Sequence, residues 1–272
     1  MDPFSLFLLL LAGCVAGFLA GFFGVGGGII LVPILVYYFH VIDVSSLVAT
    51  HLAFGTSLLI VIFASIPSAH QHNKNGNVLW KAVFIMGIAS IIGSFVGANI
   101  AAILQGKSLQ QIFATVVTVA AIRLMIEQKG SKGEPEVTLS PIGLGLIGLI
   151  VGLVSSLAGV GGGVFSIPMM YYFMKFPLKK ALGTSSATIV ITAFASTIVY
   201  IINGWSEIDV YAPQFARFTA GYVDYVHSIP IIIGTIPLAR YGAMVAHKTH
   251  TDNLRKFYAV FLLAVAMKMF FF

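Results

Sequence analysis

One short stretch occurs twice in this chain and limits what it can fold into. Gly24-Val25-Gly26-Gly27-Gly28 is followed by Ile29-Ile30-Leu31-Val32-Pro33, and Gly159-Val160-Gly161-Gly162-Gly163 by Val164-Phe165-Ser166-Ile167-Pro168. Both copies interrupt long apolar runs that would otherwise be continuous helix, where each glycine costs roughly 1 kcal/mol relative to alanine. Lipid cannot satisfy broken backbone, so such an interruption lies within protein or lines a cavity. Composition decides that the runs are spans: 58% of the 272 residues are hydrophobic and 9% charged, against about 25% charged in soluble domains. The chain reads as an all-α polytopic membrane protein of the cell membrane, in a prokaryote the inner membrane.

The duplication extends beyond the glycines. Gly13 and Gly17 align with Gly148 and Gly152, Thr50 with Thr184, Gly97-Ala98 with Gly242-Ala243, and Arg123 with Lys268. Apolar segments run over about 4–23, 29–39, 44–66, 78–104 and 109–126, then over 141–158, 164–174, 181–202, 221–246 and 254 to the C-terminus. These divide the chain into a first transmembrane repeat (1–127), a cytoplasmic linker (128–140) and a second repeat (141–272) with an insertion at 203–218. Each second segment spans only half a bilayer at 1.5 Å per residue, so the glycine-broken pair is expected to enter and leave on one side. Three full spans follow in each half, and the two halves are expected to be inverted. Duplications of this kind are typical of secondary transporters.

Loop charges agree with that topology. With both termini outside, the inner surface receives Lys74, Lys81, Lys129, Lys132, Lys175, Lys179, Lys180, Lys248, Arg255 and Lys256, and the outer surface Lys107, Arg217 and Lys268. This satisfies the positive-inside rule and accounts for the net charge of +6 without nucleic acid. Cys14 is the sole cysteine. The lipoprotein-like Leu11-Ala12-Gly13-Cys14 lacks a preceding positive charge and belongs to the repeated architecture. No cofactor or metal is implied, and His70, His72, His247 and His250 are read as loop histidines.

A glycine stretch leading into a helix N-terminus offers unpaired N–H groups, a partial positive charge and close backbone approach. Together these make an anion site without a charged side chain. The spacing therefore nominates Gly24, Gly26, Gly27 and Gly28 with Gly159, Gly161, Gly162 and Gly163, the two breaks facing each other near the midplane. Thr50, His51, Thr184 and Ser185, on the next segment of each half, add hydroxyls and one imidazole. Isolated glycines such as Gly87, Gly93, Gly143 and Gly145 are assigned to helix packing. The glycines match neither a P-loop, which ends in Gly-Lys-Ser/Thr, nor a dinucleotide fingerprint. No acid lies at the centre of a span, Asp43 and Asp224 falling near span ends, so carboxylate relays have little support, and nothing points to an enzyme.

The repeated Gly-x-Gly-Gly-Gly, its trailing Pro33 or Pro168, and Thr50 and Thr184 in the next helix resemble the sulfite exporter TauE/SafE family over essentially the whole chain. The resemblance implies transport, often outward, of small sulfur-containing anions such as sulfite or organosulfonates. His51 departs from the small polar residue that commonly follows the threonine. The expected protein is thus a secondary transporter whose partners are a small anion and the lipid bilayer, with homo-oligomerisation left open. An anion channel through the same glycine-lined pathway is the alternative.

Overall fold

Two glycine breaks divide otherwise continuous apolar sequence into short hairpins, and the computed structural model describes the outcome for residues 3–126 and 139–250, with Phe257 and Val260. The first half folds as α1 (Pro3–Phe23), α2 (Gly28–Val41), α3 (Ser46–Lys74), α4 (Trp80–Ile103) and α5 (Gly106–Ile126). The second gives α6 (Pro141–Ala158), α7 (Gly163–Phe173), α8 (Leu178–Tyr211) and α9 (Tyr225–Lys248). Among the described residues, α1, α3, α4, α6, α8 and α9 are long and apolar enough to cross a membrane. The linker at 128–138 and the last segment fall outside the described residues, as do the side chains of Arg123 and Lys268.

Packing pairs elements from opposite halves. Gly13, Gly17 and Gly21 of α1 meet the carbonyls of Ile231, Thr235 and Ala239 on α9, while Gly148 and Gly152 of α6 meet those of Met86 and Ser90 on α4. In both pairs residue numbers rise together, so the helices run parallel, brought close by small residues one turn apart. The outward faces of these four helices expose Phe4, Phe7, Ile88, Phe95, Ile142, Leu146, Ile229 and Ile233, as a lipid-facing surface requires. Between them lie α3 and α8. Ser68 contacts Ser186, and a Cβ on Gly55 would lie against Tyr200, so these two helices run antiparallel.

Three departures from the sequence pattern have physical causes. Helix α3 does not stop at Ile66 but continues through Pro67 to Lys74, because its last turns stay buried against neighbours. His72 is therefore an interior residue, 1% exposed, His70 lies on the same helix and His247 on α9; none of the three is a loop histidine. The insertion at 203–218 is partly helix: α8 runs on to Tyr211, a short 3-10 turn follows, and a two-stranded hairpin, β1 (Thr219–Ala220) and β2 (Val223–Asp224), closes over the bundle. Isolated glycines divide by environment. Gly93 sits on the Leu149 carbonyl as a packing glycine should, whereas Gly145 has nothing within 4 Å.

Candidate functional site

The two glycine stretches touch each other. A Cβ on Gly28 would lie 2.6 Å from the Cα of Val160, and one on Gly163 would lie 2.4 Å from the Cα of Val25. Gly26 and Gly161 both face Val61 of α3 and Ile189 of α8. Gly27 and Gly162 stand in the left-handed region at φ 83° and 89° and cap α2 and α7 without a side-chain bond. Gly24 lies against the carbonyl of Leu182 and Gly159 against Phe54. Two helix N-termini are thus held at one buried crossing, at the level of Val61. That level is 10 residues from His51 and 11 from His72 along α3.

Of the four polar residues nominated from sequence, Ser185 reaches this crossing. Its hydroxyl donates to the Gly24 carbonyl at 2.9 Å and meets Ser166 Oγ of α7 at 2.8 Å, tying both breaks together. The two threonines lie at opposite ends of the α3/α8 pair. Thr50 Oγ1 accepts from Gln110 Nε2 at 3.1 Å. Thr184 Oγ1 accepts the backbone N–H of Leu79, at the start of α4, at 3.1 Å.

His51 occupies a mouth at the N-terminal end of α3. Its Nε2 lies 3.1 and 3.0 Å from the carbonyls of Ala101 and Leu104, which need a donor, so Nε2 carries the proton. Its ring stacks on Tyr222 at 5.1 Å between centroids. The cavity there, roughly 620 Å³, is lined among others by Lys107, Gln110, Glu207 and Tyr211. Burial, then the charges of Glu207 and Tyr211, push the Tyr222 phenol up to about 12. Below pH 10.0 the hydroxyl is protonated folded or unfolded, and the folded state loses stability as the pH rises from there through about 12. Tyr222→Phe should therefore leave the pH profile of flux unchanged across about pH 5–8, where imidazoles titrate. A shifted profile in reconstituted vesicles would show that the phenol takes part.

Other residues emerge only in three dimensions. Ser65 Oγ lies 3.4 Å from where a Gly26 Cβ would stand. Asp224 is fully buried and bonded to His227. The sequence signal for Ser65 was no stronger than for any serine in an apolar run, since back-bonding to the helix gives the same pattern.

A sequence profile described as "Sulfite exporter TauE/SafE" matches residues 9–269. Among similar proteins, a "Probable membrane transporter protein" of Haemophilus influenzae is 31% identical over 263 residues, covering 97% of each chain. One from Methanocaldococcus jannaschii is 32% identical over 256 residues, covering 91% of this chain and 89% of its own. YunE of Bacillus subtilis, another "Probable membrane transporter protein", is 24% identical over 284 residues, covering 98% of both. No solved structure matches the chain.

Proposed function

The chain belongs to the sulfite exporter TauE/SafE family and is a multi-pass membrane transporter; from that premise we propose that it exports a small sulfur-containing anion, such as sulfite or an organosulfonate, by secondary transport. The meeting of the two glycine stretches carries this reading. Each stretch opens a helix whose first N–H groups lack intrahelical partners and whose dipole end is positive. Two such ends at one crossing attract an oxyanion with no cationic side chain, and the hydroxyl of Ser185 links the Gly24 carbonyl to Ser166 in the first turn of α7.

Inversion of the halves completes the mechanism. The equivalent helices α3 and α8 run antiparallel, which supports opposite orientations in the membrane. The cargo would then be met by one broken hairpin from each side, and rocking of one half against the other would expose it alternately. An interior-negative potential drives an anion outward with about 2.3 kcal/mol per charge per 100 mV. In proteoliposomes, saturable flux and counterflow of sulfite, sulfoacetate, thiosulfate or sulfate are expected. Movement of none of the four under any gradient overturns the proposal, and flux that never saturates turns it into a channel.

His51 lines the large mouth from its buried side. His51→Ala should flatten the pH dependence of flux between about pH 5 and 8. An unchanged profile removes the imidazole from the cycle.

A further inference from the structure

Helix α3 holds four buried polar atoms that make no hydrogen bond among the described residues: His51 Nδ1, Ser57 Oγ, Ser65 Oγ and His72 Nδ1. All four residues are at most 4% exposed. At 3.6 residues per turn they fall within an arc of about 120°, and Val61, which faces both glycine stretches, lies in the same arc. Ser155 Oγ of α6 is also unpartnered. Its Cβ would lie 3.3 Å from a Cβ on Gly162, so an open hydroxyl stands beside each glycine stretch.

The equivalent helix of the second half does the opposite. On α8, Ser185 bonds Ser166 and Gly24, Ser186 bonds Ser68, Thr192 bonds Ser90 and Ser196 bonds Ser156. Buried hydroxyls are costly when left open and are ordinarily paired. On α3, by contrast, Thr50 and Ser68 of the same arc are paired but Ser57 and Ser65 are left open, and unpaired buried hydroxyls beside a glycine stretch point to a ligand that pairs them.

We propose that this stripe of α3 is the transport path, and that Ser57, Ser65 and Ser155 are its oxyanion-binding hydroxyls. This rests on a small anion being the cargo and adds the side chains that would hold it. Ser65 donates to the anion beside Gly26, Ser155 donates beside Gly162, and Ser57 is the next donor toward the His51 mouth. At the other end of α3, His72 repeats the geometry of His51. Its Nε2 bonds the Gly21 carbonyl at 3.1 Å, and Nδ1 stays open. The two histidines therefore mark the two ends of the path, and the first half of the duplication supplies most of the ligand contacts while the second supplies the rigid wall.

Alanine variants separate this role from a structural one. Ser65→Ala and Ser155→Ala remove hydroxyls that bond nothing, so the thermal midpoint should hold or rise. Ser68→Ala breaks its bond to Ser186 and should lower the midpoint. With whichever of sulfite, sulfoacetate or thiosulfate the wild type moves, Ser65→Ala should raise the half-saturating concentration by about tenfold, the effect of one hydrogen bond to a charged ligand. Ser68→Ala should leave it unchanged. Wild-type affinity in both Ser65→Ala and Ser155→Ala overturns the path while leaving the transport reading intact.

Accessibility tests the path even if none of those anions is the cargo. In a Cys14→Ser background, Ser57→Cys and Ser65→Cys should react with a small anionic methanethiosulfonate reagent, and Ser196→Cys on α8, whose hydroxyl is buried against Ser156, should be protected. Equal protection of all three overturns the proposal.

Discussion

Valine at position 28 or 163 is expected to abolish transport and to lower the thermal midpoint of the purified protein. The nearest neighbours of both glycines are main-chain atoms: a Cβ on Gly28 would stand 2.6 Å from the Val160 Cα and carbonyl oxygen, and one on Gly163 would stand 2.4 Å from the Val25 Cα and 2.7 Å from the Gly24 carbonyl. Side chains can turn away from an added group, but these backbones cannot, since each stretch blocks the other. Overpacking a core costs about 1–3 kcal/mol where neighbours can adjust, and the cost here should reach or exceed the upper end. Because α2 and α7 start at these residues, separating the stretches also moves the two helix N-termini apart. Flux into proteoliposomes and a detergent melting curve measure the two consequences separately.

Gly145→Ala provides the control. It lies on α6 with nothing within 4 Å of its added Cβ, so alanine there should leave flux intact and stabilise the helix by up to about 1 kcal/mol. Full flux and an unshifted midpoint in Gly28→Val would mean that the contact between the stretches does not exist in the membrane.

Much of the architecture was legible because glycine and proline punctuate an otherwise monotonous sequence. The breaks at Gly24–Gly28 and Gly159–Gly163, the short helix at Gly163–Phe173 and the starts of most spans follow from that punctuation. The end of the apolar run at 66, just before Pro67, misled, because polar residues continue the same helix. Proline usually ends a helix by removing a donor, but within a bundle its neighbours can absorb the defect, and α3 continues to Lys74. The misplaced His72 is a direct consequence.

The candidate site was less legible because its chemistry depends on partners. Ser65 and Ser68 are three residues apart on one apolar helix, and nothing in the sequence separates them. The structure does: Ser68 bonds Ser186 and Ser65 bonds nothing. Thr50 and Thr184 showed the converse limit. Equivalent positions in a duplication need not share a site, and antiparallel packing of α3 and α8 sends these two to opposite ends.

Asp224 should prove among the most sensitive positions outside the glycine stretches, although its place near the end of an apolar segment gave no hint of this. Its side chain is fully buried. One carboxylate oxygen accepts the N–H of His227 at 2.9 Å, capping α9, and the other pairs with the His227 ring. Its own N–H donates to Thr56 Oγ1 of α3 at 2.9 Å, so this residue seats the 219–224 hairpin on the helix that carries His51. Asp224→Ala removes the cap and leaves a buried ring nitrogen without its acceptor. Leaving a buried ring nitrogen unsatisfied costs about 1–3 kcal/mol, and a lost cap about 1 kcal/mol more. Asp224→Asn keeps an acceptor for the cap and should fall between alanine and wild type. Because the pair is buried, raising the salt concentration should not shrink these differences, as it would for an exposed pair. Melting curves of the three proteins at low and high salt provide the measurement, and an Asp224→Ala midpoint equal to wild type would rule the role out. The hairpin also places Tyr222 against His51, so release of its anchor should open the large mouth, and Asp224→Asn should alter flux before it unfolds the protein.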